Sequence, residues 1–402
     1  FQVMDNDGMI NGNGDSYVAY LFGHDDQSFG TDENESIIHC GNYTGTGGDP
    51  FDVEVGFEPQ WVMVKCTSQS GRDWSVYDNF RGAVAGSNTS NRLRPNSSSS
   101  EDLSNVGFHS TGFSAPTGSS ETNSSGQSYI YVAIRRPHKP PEAGTDVYQA
   151  LYYYGTNGNA TRTTNISVDA IHSSRTSSGN PYFINRLRGG GSYIGTNDAV
   201  AEGTVSDGVL TFGHNFLKMG SSPIINSNST YIIQMFSRAP GFFDVVLYNG
   251  SNSVNAFNHN LGVKPELVIF KSRSHSQDWI VKFGGDRDKY LYLNGTADEH
   301  TSTNYFDGED TATQFYARQG NAMTNMQGYT YIAYLFASLS GVSKIGEYSA
   351  TGNAINIDCG FTNGARFVLI KRTDDHGGWM VYDTARSIVS GDDPYNKWNS
   401  TQ

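Results

Sequence analysis

The residues able to do chemistry in this chain are numerous but loosely arranged. The opening DNDGMINGNGD has the acid, glycine and asparagine content of a calcium loop. Aligning Gly8 with the obligatory glycine of such a loop puts Val3 and Gly14 at the first and last ligand positions, where acids are needed. The segment reads instead as a turn before a strand, with Asp5 and Asp7 as the only remnant of a cation site. Ten histidines are scattered, with no HExxH and no pair at metal spacing. No GxSxG elbow occurs. Acid pairs for glycoside cleavage could be assembled by folding. Asp25-Asp26 and Asp374-Asp375, however, lie in turn-like segments, where Asp bonds its own backbone. Cys40, Cys66 and Cys359 form no CxxC; they read as small buried hydrophobes, with a Cys40–Cys66 bridge as the one pairing worth testing. Sequons at Asn42, Asn96, Asn165 and Asn294 follow from the Asn/Ser/Thr content. The reading assigns no catalytic residue, no cofactor and no metal.

The tryptophans are different, because their spacing repeats. Lys65, Lys271 and Lys371 end the apolar runs WVMVK, LVIFK and FVLIK. Trp74, Trp279 and Trp379 follow at eight or nine residues, and Arg81, Arg287 and Arg386 follow those at seven or eight. An indole can stack on a sugar ring, but a fixed offset from a buried strand favours packing between sheets. Trp61, Trp74, Trp279 and Trp379 are therefore assigned to the repeat core, with the lysine stems lying over it.

The elements that position them belong to a second repeated pattern, Asn-x-x-Gly-x-x-Tyr followed by an alternating apolar run. It occurs at Asn11-Gly14-Tyr17, Asn123-Gly126-Tyr129 and Asn325-Gly328-Tyr331. A degenerate copy ends at Tyr231, with Asn228 in the glycine's place. Tyr17, Tyr129, Tyr231 and Tyr331 recur at intervals of about 100 residues and join the expected core. The units are the end of a truncated repeat (1–35), a β-sandwich repeat (36–140), a divergent one (141–241), another whole one (242–340) and the start of a truncated repeat (341–402). Both ends cut through a repeat, which suggests a piece of a longer protein. The expected fold is all-β: tandem β-sandwich, jelly-roll-like repeats of about 100 residues. Arg135-Arg136-Pro137-His138-Lys139 reads as a stiff connector, and Arg238-Ala239-Pro240-Gly241 marks the next junction. Arg81, Arg135, Arg136, Arg238 and Arg386 are candidates for inter-unit contact.

Composition agrees. Charged residues are 17%, below the ~25% usual for globular chains, while Gly (46), Tyr (24) and Phe (22) are abundant, as in turn-rich β proteins. A net charge of −13 opposes nucleic-acid binding. No stretch approaches the ~20 apolar residues of a membrane helix, and the aromatic content argues against disorder.

With these residues in hand, the chain resembles repeat-containing virion structural proteins of marine tailed bacteriophages, especially those infecting cyanobacteria. The resemblance rests on 17–22 (YVAYLF), 36–47 (SIIHCGNYTGTG), 56–65 (GFEPQWVMVK), 78–82 (DNFRG), 93–96 (LRPN) and 129–137 (YIYVAIRRP). It continues through 238–246 (RAPGFFDVV) into 259–271 (HNLGVKPELVIFK). It covers nearly the whole chain and carries no enzymatic residues. It implies a non-enzymatic tail-fibre or adhesin segment on the virion surface. The expected partners are other virion subunits, a host-surface glycan or protein, and further copies of the chain, with a trimer favoured. A tail, baseplate or capsid-decoration component, a bacterial extracellular adhesin or filament, and a glycan depolymerase are the alternatives, in that order.

Overall fold

The computed structural model describes residues 3, 9–30, 33, 35–48, 51–83, 90–104, 106–253, 255–388 and 393–401. Every sheet is antiparallel, and no α-helix occurs among the described residues. The chain is a tandem array of β-sandwich units, called first (36–140), second (141–241), third (242–340) and fourth (341–402) below.

In each of the first three units the larger sheet is built around its last strand. In the third unit Thr330–Phe336 lies between Phe243–Asn249 and Leu267–Ser272, and the sheet continues through Ile280–Phe283, Lys289–Tyr292 and His300–Thr301. The second unit repeats this order with Thr230–Phe236 between Tyr148–Tyr154 and Ala170–Arg175. In the first unit Ser128–Arg135 lies between Ile38–Thr44 and Pro59–Cys66, with Trp74–Asp78 beyond. A smaller sheet covers one face. In the first unit it is Phe51–Glu54, Gly112–Ala115 and Gly107–His109, enclosing Val62, Val64, Tyr77, Phe113, Tyr129 and Tyr131.

The recurring tyrosine motif is a device for entering the central strand. The Tyr129 and Tyr331 hydroxyls accept the backbone N–H of Ser124 and Met326 at 2.8 and 2.9 Å. The motif asparagine accepts from the end of the first strand: Asn123 from Thr46 N–H at 2.8 Å and Asn325 from Ser251 N–H at 2.8 Å. Gly126 and Gly328 sit at φ 71° and 83°, in the left-handed region that glycine occupies without strain. Each motif tyrosine stacks on a first-strand tyrosine, with ring centroids 5.0 Å apart for Tyr43–Tyr129 and 5.2 Å for Tyr248–Tyr331. The second unit differs from the sequence reading. Asn226 fills the asparagine role, accepting from Thr156 N–H at 3.0 Å, and Asn228 does not take the glycine's place. Asn228 has no left-handed φ, because this turn is one residue shorter and needs no such position.

The segment 16–22 has the composition of a central strand but forms none. Val18, Tyr20 and Leu21 are exposed, and Tyr17 is 46% exposed rather than in a core. In the whole units this strand is held between two neighbours. Among the described residues neither neighbour lies beside it.

Candidate functional site

Trp279 and Trp379 do not pack inside their own sandwiches, as the repeat had suggested. They lie on the opposite face of the larger sheet, where the second, third and fourth units meet around one core. That core takes Ala170, Phe183, Ile194 and Phe236 from the second unit. The third supplies Ile269, Trp279, Val281, Leu291 and Tyr334, and the fourth Trp379, Val381 and Trp398. Phe183 stands near its centre, 4.6 Å from the Tyr334 ring and 5.2 Å from that of Trp398.

One set of bonds joins the second unit to the third and is repeated between the third and fourth. Trp279 Nε1 donates to the Gly195 carbonyl at 2.8 Å, and Trp379 Nε1 to the Tyr292 carbonyl at 2.9 Å. Lys271 Nζ donates to Ala199 O at 3.2 Å, and Lys371 Nζ to Thr296 O at 3.3 Å. Glu202 N–H donates to Arg273 O, and Glu299 N–H to Thr373 O, both at 2.8 Å. Lys271 also reaches the Ser272 and Gln277 carbonyls, and burial pulls its ammonium down to about 8. An asparagine latches each tryptophan: Asn294 Oδ1 accepts Trp279 N–H at 3.0 Å, and Asn399 Oδ1 accepts Trp379 N–H at 2.9 Å.

The fourth unit then returns to the second. Trp398 Nε1 donates to Gln234 Oε1 at 3.1 Å, and Gln234 Nε2 to Asp383 Oδ2 at 3.0 Å. The three sheets therefore close a ring. The divergent second unit has Pro181 where the others carry the tryptophan, and this last joint has no indole bond of that kind. Between Tyr152 and Arg175 on one side and Arg386 and Tyr395 on the other, a cleft of about 430 Å³ opens there.

A buried charge junction fastens the first unit to this ring. Arg238 holds Glu58 with two bonds, Nη1–Oε2 at 2.7 Å and Nη2–Oε1 at 2.8 Å. Arg136 reaches Glu58 at 3.2 Å and Asp244 at 3.3 Å. Asp169 accepts Arg238 N–H at 2.8 Å and pairs with Arg186 at 3.2 Å. Three guanidinium groups thus face three carboxylates drawn from three units. Burial alone would raise the Asp169 carboxyl. Arg238, Arg186 and Arg136 overcome it and hold the group below its ordinary value.

The other expected contacts sort differently. Arg81 stays in its own unit, where Asp78 caps the Asn79–Arg81 turn. Arg135 pairs with Glu35 at 2.9 Å. Arg386 pairs with Asp383, which also accepts from Gln234, so it braces the joint between fourth and second units. In the 135–139 stretch Arg136 is buried, 5% exposed, while Pro137 and Lys139 are exposed. Glu58, Asp169 and Asp244 were not singled out from sequence. Their signal was a lone acid inside an apolar run, as in FFDVV. Trp61 and Trp74 are only half-buried. All three cysteines are free thiols. Asp52, Glu54 and His109 are the cation-capable group among the described residues, with one ligand atom each within 4.8 Å of the others. The third unit has Ala256, Asn258 and Thr311 at the matching positions. Asp5 and Asp7 lie outside the described residues.

Two buried histidines make the assembly acid-sensitive. Burial in the ring lowers His172 to about 3, with Arg386 adding to the effect. Burial, then Arg136 and Arg135, lower His138 to about 3, although Glu35 lies 3.4 Å from its Nε2. Unfolded histidine titrates near 6.5, so between ~6.5 and ~3 the unfolded state binds more protons. Stability is full above pH ~6.5 and falls toward pH ~3, by up to about 1.4 kcal/mol per pH unit for each histidine. Urea unfolding across this range is expected to show the slope, and His172→Gln with His138→Gln to flatten it.

A family defined as a domain of unknown function, DUF7483, matches residues 1–137 and 143–400, and the chain belongs to that family. The second matched stretch spans the three-unit ring. No curated protein matches the sequence.

Proposed function

We propose that this member of the DUF7483 family is a non-enzymatic structural protein of a phage particle, a tail-fibre or adhesin segment displayed on the virion surface. The observation that carries the reading is the repeated joint. The same tryptophan, lysine and glutamate bonds lock successive units, and a buried charge junction fixes a fourth body to them. Such joints resist bending and turn a string of sandwiches into a stiff assembly. The polar loops of these units, rich in Tyr, Ser, Gly and Asn, offer adaptable contacts for a host-surface glycan or protein. The cleft between the second and fourth units combines exposed Tyr152 and Tyr395 with Arg175 and Arg386. Aromatic faces with guanidinium donors suit a sugar ring and its hydroxyls.

Gold-labelled antibody against the chain, imaged on intact cyanophage particles, tests the reading. Label along fibres is the expected result. Label confined to capsid, tail tube or baseplate would replace it with a component that contacts virion subunits only. Particles without label would remove both. In a cell-binding assay, Tyr152→Ala with Tyr395→Ala is expected to weaken attachment at least several-fold. Release of soluble sugar from host polysaccharide would instead point to a depolymerase.

A further inference from the structure

The first unit carries the same joint as the others, but among the described residues nothing occupies it. The correspondence is set by register. Val76 pairs with Leu93 as Val281 pairs with Leu291 and Val381 with Asn396. Asn96 Oδ1 accepts Trp74 N–H at 2.9 Å, as Asn294 and Asn399 do for their tryptophans. Trp74 therefore stands for Trp279, Lys65 for Lys271 and Thr67 for Arg273. On the opposite side of the joint, the Arg94 carbonyl stands for that of Gly195, Ser98 for Ala199, and Glu101 for Glu202. The glutamate is present in all three: Glu101, Glu202 and Glu299.

Burial separates the first unit from its sisters. Leu93 is 37% exposed, whereas Leu291 is 2% exposed and Ile194 fully buried. Ile130 is 41% exposed, whereas Ile332 is fully buried. Met63, Trp74 and Val132 are half-buried, and their counterparts Ile269, Trp279 and Tyr334 are fully enclosed. Lys65 bonds the Arg72 carbonyl within its own unit, as Lys271 does with Gln277, but reaches no second unit among the described residues. A sheet face with half-exposed Trp, Met, Val, Leu and Ile side chains is a contact surface without its contact.

We infer that the first unit of this chain docks onto the first units of two further copies, forming a homotrimer by the joint that links the second, third and fourth units. The occupant follows from the geometry of that joint. The donor half and the acceptor half sit on the same unit, so identical units can be chained head to tail. A heterologous contact of this kind forms a closed ring only when its rotation divides a full turn. Within the chain the joint takes the second unit to the third and the third to the fourth, and the fourth meets the second again. It therefore closes after three. Three first units would place each Trp74 Nε1 on a neighbour's Arg94 carbonyl, each Lys65 Nζ on Ser98, and each Glu101 N–H on Thr67. Unlike the internal ring, every joint would keep its tryptophan, because no proline interrupts the set.

This surface is argued from the joint and the exposure, not from a place in a virion, and it can fail separately. The test is the solution mass of the full chain by sedimentation and light scattering. Three times 43.9 kDa is expected. Trp74→Arg, and separately Ile130→Glu, are expected to give monomers with an unchanged far-ultraviolet spectrum. Thr67→Cys combined with Glu101→Cys is expected to link chains into covalent trimers on a non-reducing gel, while each single variant is not. The paired substitution keeps the test decisive if Trp74→Arg does not fold. A monomeric wild-type chain, or a trimer that survives both face substitutions and gives no linked chains, would overturn the inference. Neither result would bear on where antibody labels the particle.

Discussion

Replacing Arg238 by methionine is expected to cost about 3–5 kcal/mol of stability, the range seen when one member of a buried ion pair is removed. Arg238 is the hub of the junction, bonded twice to Glu58 and lying 3.8 Å from both Asp169 and Asp244. Its guanidinium holds its proton more firmly than usual, because those three carboxylates outweigh the burial that opposes its charge. Without it, Glu58 and Asp244 retain only Arg136, and Asp169 only Arg186. Three buried carboxylates then face two guanidinium groups. Urea denaturation of the variant would measure the loss. Adding Glu58→Gln should recover part of it, since the surplus negative charge is gone, and that recovery identifies the pair as coupled. A loss under about 1 kcal/mol would mean the junction behaves like an exposed pair.

Trp279→Ala is the second large effect, at about 3–5 kcal/mol for a fully buried tryptophan cut to alanine. It removes a side chain with no exposed surface, and it leaves the Gly195 carbonyl without its donor. The damage is expected at the joint rather than within either sandwich. Tyr331, Phe315 and Phe270 line the third unit's own core on the other face of the sheet. Limited proteolysis should then cut between the second and third units while leaving each resistant. Trp279→Phe should restore much of the packing but not the bond. Simultaneous melting of all units, with no separated product, would show that the joint and the sandwich are a single cooperative body.

These two residues were not equally legible. Trp279 announced itself by its offset from Lys271, because both lie on short local stretches whose geometry one unit sets. The face it occupies was not legible. A strand such as LVIFK has the same alternation whether its second face meets its own unit or another. Only in the first unit does the difference show, where Met63 and Val132 remain half-exposed despite an equally apolar pattern. The junction was legible on its basic side alone. Arg135-Arg136 is a visible cluster, but Glu58, Asp169 and Asp244 are single acids far apart in the chain, brought together only by the packing of three units. The tyrosine motif was read almost completely, since its bonds close over a few residues. Its one misreading, Asn228 in the glycine's place, came from a turn shortened by a residue. The segment 16–22 carries the pattern of a strand, yet a strand is defined by its neighbours.

The placing of the last strand at the centre of the sheet in the first three units has a consequence for synthesis. Ile38–Thr44 and Pro59–Cys66 do not touch as a pair; each bonds to Ser128–Arg135, which leaves the ribosome last. Until it arrives, both earlier strands wait with unpaired edges. Joining them closes loops that span most of a unit, the kind of non-local pairing that slows folding. Each of the first three units therefore matures at one late moment, when its last strand of seven or eight residues slides into the gap. The nascent chain passes through that vulnerable stage once per repeat, and its order of completion runs strictly from the amino end.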